Sequence, residues 1–549
     1  MSSTPLLGRV LVIVVALGAL LAPAGARAQE TVPPLPSTPG LPAPFPGSSN
    51  ASGGKVNADL ALQTLSTATM DPTALAVAPD GRVIFAERQG AIKVITTKGE
   101  TVEAGRILVN ATGCAGCPDQ TMEEGGIHGL ELSPGFKKNN RIYVYYSVPF
   151  SVGVGGFGPT EAVFRLSTFT LNKDNTLVSG SEKVLMRNPA GTTACCHYGG
   201  DIDFLPDGTL TLTVGDDTSP RVEGFNPRDN RPGFEEYNAE RTAQNRKDRR
   251  GKVLRLMPNG DVPNGTQPGI KPNPFVKNSK YDPYIYAMGF RSNYRSANDP
   301  VTGSVFVGNV GPDAATDNPE RGPRGYDELE TILAGGGSNH GWPRCIGNNI
   351  PYRDYDYITQ TSGAPLSCKG MTPATMWYPY GKSERFPQLG DDGGRTAAAG
   401  VVYRYQGNGR FRMPARFQGQ LLFMEWSRDK IWSLPIIDGR RADGSRVRGY
   451  GNVVPGGIRL VAQDLLHPID ATVGPDGAIY LAEYGTGFYG NSNSRISRIV
   501  PKAALKGGGS ATTSTAASAG VGLPLPLSAP IVVALLAAVG IRRRRSAVI

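Results

Sequence analysis

One short pattern recurs six times along the chain and limits the folds open to it. It is a tight turn, then an apolar-alternating run, then a small or acidic residue. It reads PDGRVIFAER from Pro79, SPGFKKNNRIYVYYS from Ser133, PDGTLTLTVGD from Pro206, DPVTGSVFVGNVG from Asp299, FQGQLLFMEWS from Phe417 and PDGAIYLAEYG from Pro475. Asp-Gly and Asn-x turns that feed β-branched and aromatic alternation are hairpin signals. Several turns follow a further apolar run, as in TALAVAPDG, GDIDFLPDG and IDATVGPDG, so each unit is strand, turn, strand. Repeats of roughly 40–50 residues that each supply a few strands predict a propeller. Six units predict six blades, with long loops interrupting some of them, notably 217–250 and 312–400. The 71 Gly and 45 Pro among 549 residues, with 39% hydrophobic and 19% charged, argue against a helical bundle, a coiled coil and a polytopic membrane protein. The expected fold is all-β, a six-bladed β-propeller over residues 56–502. A pair of β-sandwiches is the alternative.

The ends read as addresses. Residues 1–28 form a signal peptide, with Arg9 ahead of the apolar run Val10–Ala22 and Ala26-Arg27-Ala28 at the cleavage point. Residues 29–55 are a Pro/Gly/Ser-rich linker and 503–520 a Gly/Ser/Thr/Ala linker. The uncharged stretch 521–541 is long enough for a bilayer and precedes the basic tail 542–549, which holds Arg542 to Arg545. It reads as a membrane anchor or a sorting segment, and the rest of the chain then lies on the extracellular or periplasmic face. Six arginines in these ends account for most of the formal +10, leaving +4 for the centre, which makes no nucleic-acid footprint. The basic cluster Asn245–Lys252 reads as a solvated loop ahead of a strand. Six cysteines agree with an oxidising compartment. Cys345 and Cys368 are the natural loop pair. Cys114 and Cys117 close a tight turn and leave Cys195 with Cys196, or the two doublets cross-pair.

Four histidines, His128, His197, His340 and His467, each lie near a repeat or a Gly-rich loop. Imidazole is the side chain suited to proton abstraction at neutral pH. His197 is the strongest candidate: it precedes Tyr198-Gly199-Gly200, where backbone approaches closely, and the next strand ends at Asp216, placed to orient it. The loop Gly308–Asp313 is rich in carbonyls and suits calcium, with Asp327 and Glu328 in GYDELE as further oxygen donors or, the reading favoured for charged residues, as solvated surface acids. Arg291 closes a strand where it would reach an anion at the propeller axis. Trp342, Trp377, Tyr378 and Trp426 are candidate stacking surfaces for sugar rings at the mouth.

At these residues the chain resembles the glucose/sorbosone dehydrogenase family. The segments that carry the resemblance are GIHGLELSPGFKKNNRIYVYYS, CCHYGGDIDFLPDGTLTLTVGDD, RRGKVLRLMPNGDVP, YAMGFRSNYRSANDPVTGSVFVGNVGP, YDELETILAGGGSNHGWP and HPIDATVGPDGAIYLAEYGTG, in family order over about residues 110–490. The resemblance implies a six-bladed propeller that oxidises a sugar or polyol with pyrroloquinoline quinone (PQQ) and Ca2+, passing electrons to an external acceptor. It implies His197 as base, Asp216 as its partner, Arg291 on the cofactor, and the carbonyls of Gly311 and Pro312 on calcium. The family's arginine pair falls at His467-Pro468-Ile469-Asp470, and its lysine at Ser427-Arg428, where Arg428 substitutes. Ser292 stands for an asparagine and Glu124 for a glutamine. The doublet Cys195-Cys196 would form a stiff platform against a planar ring. The alternative function is a non-catalytic surface propeller that binds glycan or protein, and lactone hydrolysis with calcium is a third.

Overall fold

The three Pro-Asp-Gly turns share one construction. In each, the aspartate carboxylate accepts the N–H two residues on: Asp80 from Arg82 (3.1 Å), Asp207 from Thr209 (3.1 Å) and Asp476 from Ala478 (3.1 Å). The glycine sits at φ +92, +81 and +84 respectively, a region open to it because it has no Cβ. These turns join the first and second strands of the first, third and sixth blades. The other three repeats mark the same hairpin in the second, fourth and fifth, so each repeat is one inner hairpin.

The computed structural model describes residues 53–149, 162–190, 196–221, 223–391 and 393–506. Six antiparallel sheets follow one another along the chain, each built on four strands. Blade 1 comprises Pro72–Val77, Val83–Glu87, Ala91–Ile95 and Thr101–Arg106; blade 2 comprises Ile127–Leu132, Arg141–Val148, Ala162–Thr170 and Lys183–Ala190. Blade 3 comprises Ile202–Phe204, Leu210–Val214, Lys252–Leu256 and Ile285–Met288; blade 4 comprises Ser292–Asn298, Val305–Val310, Asp327–Ile332 and Met376–Tyr378. Blade 5 comprises Ala397–Tyr403, Gln420–Glu425, Lys430–Pro435 and Arg459–Gln463, with Lys55–Val56 as a short fifth strand on its edge. Blade 6 takes Pro468–Val473, Ile479–Glu483 and Arg495–Pro501 from the end of the chain and Leu60–Ser66 from its start. That pairing runs from Leu60 opposite Pro501 to Ser66 opposite Ile496 and closes the ring. Among the described residues the one α-helix is the four-residue Phe136–Asn139.

Burial follows from the alternation of each strand between two neighbours. Ile84 and Val94 of blade 1 pack against Ile142 and Val144 of blade 2, and Phe85 on the other face packs against Tyr480 of blade 6. Separate apolar clusters fill the remaining seams between blades. Each fully buried Ile, Val or Phe adds about 1.5–3 kcal/mol, so the seams hold the ring together.

The disulfides Cys114–Cys117 and Cys345–Cys368 are present, and Cys196 is disulfide-bonded while Cys195 lies outside the described residues. Segments 1–28 and 521–541 also lie outside them. No helix among the described residues is long and apolar enough to cross a membrane.

Candidate active site

In this fold two kinds of loop open on one face: those from the outer strand of a blade to the inner strand of the next, and those from second to third strand. Glu124, His197, Arg291 and His467 lie on loops of the first kind. Asp216, Gly311-Pro312 and Arg428 lie on the second kind. Strand alternation therefore delivers every candidate, scattered over more than three hundred residues, to a single face.

His197 is held there by a strained backbone. Cys196 and His197 take consecutive left-handed conformations, φ +89 and +64, each costing about 1–2 kcal/mol for a side chain with a Cβ. Close packing maintains them: a Cβ at Gly215 would collide with the His197 carbonyl. The His197 N–H donates to Glu124 Oε2 (2.7 Å). Its Nδ1 lies 2.9 Å from Asp216 Oδ1. The buried Asp216 accepts two further N–H groups, from the Thr218 backbone (3.1 Å) and from Trp342 Nε1 (2.7 Å). A carboxylate so placed accepts Nδ1–H, which leaves the lone pair on Nε2. That Nε2 has no hydrogen-bond partner among the described residues. The arrangement is a base with its acceptor atom open.

Trp342 reaches Asp216 by an unexpected route. The chain leaves blade 4 at Ile332 and climbs along the outer strand of blade 3, with Met288 N–H on the Ser338 carbonyl (3.1 Å), His340 N–H on that of Met288 (2.8 Å) and Trp342 N–H on that of Gly289 (3.1 Å). Here Ser338 Oγ is 2.9 Å from His340 Nε2, and Glu330 is 2.7 Å from Nδ1. Burial pushes the His340 pKa down to about 3. This histidine belongs to the wall between blades, not to the site. The His128 ring sits between the carbonyls of Gly199 (2.6 Å) and Glu124 (2.5 Å), with its pKa pushed down to about 4 by burial. A neutral imidazole has one N–H, so the ring donates to one of these carbonyls and packs against the other, between the loop of Glu124 and the loop of His197.

Arg291 lies beside this centre. Its carbonyl accepts Asp216 N–H (2.7 Å), its guanidinium is 5.9 Å from the Trp342 ring, and one N–H goes to the Val310 carbonyl (3.2 Å). Its backbone N–H donates to Asn309 Oδ1 (3.0 Å), and the remaining guanidinium N–H groups have no partner among the described residues. Ser292 pairs with Val310 at the start of blade 4 and gives its N–H to Asn309. His467 holds Asp429 through Nδ1 (2.7 Å), stacks on Trp426 at 3.9 Å and has φ +51.

Three expectations are corrected. Arg428, expected in place of the family's lysine on the cofactor, instead donates to the carbonyls of Pro379, Gly381, Leu389, Gly390 and Gly394 at 2.9–3.4 Å. Asp327 and Glu328 are buried strand residues rather than surface acids or metal donors. Asp327 accepts from Gly311 N–H, Arg395 and Ala397 N–H (3.0, 2.7 and 2.7 Å), and Glu328 from Asn309 and Gly347. Burial raises both carboxyls, Glu328 further because Glu330 lies beside it. The cluster Asn245–Lys252 is solvated at Asn245, Arg246 and Lys247 and does precede a strand, but its second half is an internal network: Arg250 pairs with Asp217 and Asp248, and Lys252 is buried on three carbonyls.

The donor set fits an anionic quinone: the Arg291 guanidinium offers open N–H groups, and His197 Nε2 is open for the substrate. For calcium the fit is to backbone oxygen. The Gly311 carbonyl has no hydrogen bond among the described residues, whereas that of Pro312 takes Arg395. No group of three or more His, Cys, Asp and Glu side chains among the described residues could hold a metal. Of the aromatic candidates, Tyr378 is core, Trp377 packs edge-on to Phe386, and Trp342 is the hydrogen-bond donor to Asp216.

The chain is 26% identical over 327 residues to the aldose sugar dehydrogenase YliI of Escherichia coli, covering 58% of this chain and 72% of that one. It is also 26% identical over 313 residues to an uncharacterized protein of Synechocystis, covering 56% of this chain and 64% of that protein. Solved structures share the fold. A glucose dehydrogenase-like oxidoreductase of Thermus thermophilus has a TM-score of 0.51 at 23% identity over 80% of this chain and 100% of that one. The PQQ-bound aldose sugar dehydrogenase of Streptomyces coelicolor has a TM-score of 0.50 at 18% identity over 81% and 99%. The family model Glucose / Sorbosone dehydrogenase matches residues 69–382, more than half of the chain and all of the loops that bring His197, Asp216, Arg291 and Trp342 together, and the chain belongs to that family.

Proposed function

We propose that the chain is an exported quinoprotein that oxidises a hydroxyl of a sugar or polyol, with PQQ and calcium as its cofactors. The observation that carries this reading is the His197–Asp216–Trp342 arrangement with Nε2 open, together with Arg291, whose carbonyl accepts Asp216 N–H and whose guanidinium keeps N–H groups without a partner among the described residues. Similarity to an aldose sugar dehydrogenase and to a PQQ-bound propeller supports it. His197 Nε2 takes the hydroxyl proton as the carbonyl of the product forms. Asp216 stabilises the imidazolium that results, and Trp342 keeps Asp216 from turning away. PQQ, when bound, would supply the two-electron acceptor for the hydride that the hydroxyl-bearing carbon gives up. Arg291 is the group to pair with its oxygens, and the Gly311 carbonyl is the open donor for calcium. An external acceptor takes the electrons onward.

Export is proposed from segment 1–28 and agrees with the disulfides; attachment to a membrane is proposed for segment 521–541. The test is dye reduction by the full-length chain with PQQ and calcium over a panel of aldoses and polyols. Turnover is expected to need both cofactors, to stop on chelation of calcium, and to fall about a thousandfold in His197→Ala. A folded protein that binds no quinone by titration overturns the reading in favour of a non-catalytic propeller.

A further inference from the structure

On the face that carries His197, two large apolar side chains stand out of the surface: Phe488, 51% exposed, and Tyr489, 37% exposed. Both belong to the loop between the second and third strands of blade 6. This loop is pinned. The buried carboxylate of Asp71 accepts the N–H of Gly490 (2.8 Å), the N–H of Asn491 (2.9 Å) and the Asn491 side-chain amide (2.6 Å). Tyr484 Oη donates to the Phe488 carbonyl (2.8 Å), and Asn491 Oδ1 accepts Gly487 N–H (2.6 Å). Tyr489 Oη donates to the Glu123 carbonyl (2.6 Å), and the Arg88 guanidinium lies 4.2 Å over its ring. The backbone is thus fixed with the Phe488 ring outward. Single exposed apolar side chains are common on this protein, among them Leu108 and Ile358; what points to binding is apolar surface that is contiguous.

The rings form a continuous strip. His467 stacks on Trp426 at 3.9 Å, Trp426 meets Phe488 at 5.8 Å, and Phe488 meets Tyr489 at 6.3 Å. At its far end Tyr489 holds the backbone of Glu123, and the neighbouring Glu124 carboxylate holds the backbone of His197. The strip therefore starts at the loop that seats the base. Its border is polar: Glu123, Glu124 and Asn493 are exposed along it. Ring faces edged by carboxylates and an amide match one kind of surface above others. A pyranose has a C–H face that lies on an aromatic ring and a rim of hydroxyls that donate to carboxylates.

We propose that Phe488 and Tyr489 form a stacking subsite for a sugar ring beyond the reacting one, which makes the substrate class an oligosaccharide. Its outer ring lies against these side chains while its terminal residue meets His197. The inference rests on the sugar-oxidising reading above, so its test avoids turnover. The full-length chain, without quinone, is titrated calorimetrically with maltotriitol and cellotriitol, and with sorbitol as a probe that has no outer ring. Binding of at least one trisaccharide alditol is expected, about tenfold weaker in Phe488→Ala and retained in Phe488→Trp. The exposed position of Phe488 makes both variants fold, which a thermal melt checks. Three outcomes each overturn the subsite: no trisaccharide binding by the wild type, equal binding by Phe488→Ala, or an equal loss for sorbitol. Phe488-dependent binding in a protein that reduces no dye would instead uphold the subsite and count against the oxidation reading.

Discussion

At the residue scale, the site depends on which nitrogen of His197 carries its proton. Asp216 accepts Nδ1–H at 2.9 Å, and that alone leaves Nε2 basic. In Asp216→Asn the amide offers an N–H as readily as an acceptor, and the wrong tautomer becomes available. With quinone and calcium present, kcat/KM is expected to fall by about 10²–10⁴ in steady-state dye reduction, with the fold unchanged by circular dichroism. Trp342→Phe removes the donor to the other Asp216 oxygen together with part of a buried ring that packs on Tyr352, and a loss of at least about tenfold is expected in the same assay. His197 and Asp216 were legible in the sequence because each ends a recognisable segment, a Gly-Gly approach and a strand. The donor from Trp342 was not, since nothing in SNHGWP shows that the chain climbs blade 3 to reach Asp216. Asp327 and Glu328 misled for a related reason: acids in GYDELE look solvated until their strand is found between blades 3 and 5.

At the scale of elements, the six repeats translated directly into six inner hairpins, because turn chemistry and strand alternation are local properties. The loops did not, because their conformation is set by distant partners. The connector between blades 4 and 5 shows this. Its segment 379–394 has little apolar content to fold around, and it closes on the guanidinium of Arg428, which reaches five of its carbonyls. From the family resemblance, the same arginine stood in for a lysine that holds the cofactor. Arg428→Met keeps the stem and removes every donor, leaving several buried carbonyls unmet. A loss of about 3 kcal/mol in denaturant unfolding is expected, larger than for removal of a solvent-exposed arginine, where about 0.5 kcal/mol is usual. An unchanged unfolding midpoint would restore Arg428 as a candidate for the cofactor.

At the scale of the whole molecule, the ring is joined twice, by the Leu60–Ser66 strand at its circumference and by charge at its axis. Arg295 of blade 4 donates to the carbonyls of Ile469 in blade 6 (2.9 Å), His128 in blade 2 (2.9 Å) and Thr73 in blade 1. Asp201 and Asp470 each stand 3.7 Å from it. Asp201 also accepts Ser296 N–H across blades 3 and 4, and Asp470 accepts Leu75 N–H across blades 6 and 1. One cation thus serves a crowd of acids, since Asp203 and Glu131 lie in the same channel. Asp203 is pushed up to about 8, first by burial and then by the charge of Asp201, and Glu131 well above the carboxylate range by burial and by Asp203. An unfolded chain releases such protons near pH 4, while the folded ring keeps them. Between roughly pH 4 and pH 8 the folded state therefore binds more protons. Stability from this source is full below the unfolded pKa and is lost as pH rises toward the folded one. The unfolding free energy is expected to fall between about pH 5 and about pH 8, and Asp203→Asn, which cannot ionise, to recover about 2 kcal/mol of that loss at the upper end. Guanidinium unfolding of both proteins at the two pH values measures it. Parallel pH slopes would mean that Asp203 ionises freely in the folded ring, with the axis open to water and Arg295 able to serve all four acids at once.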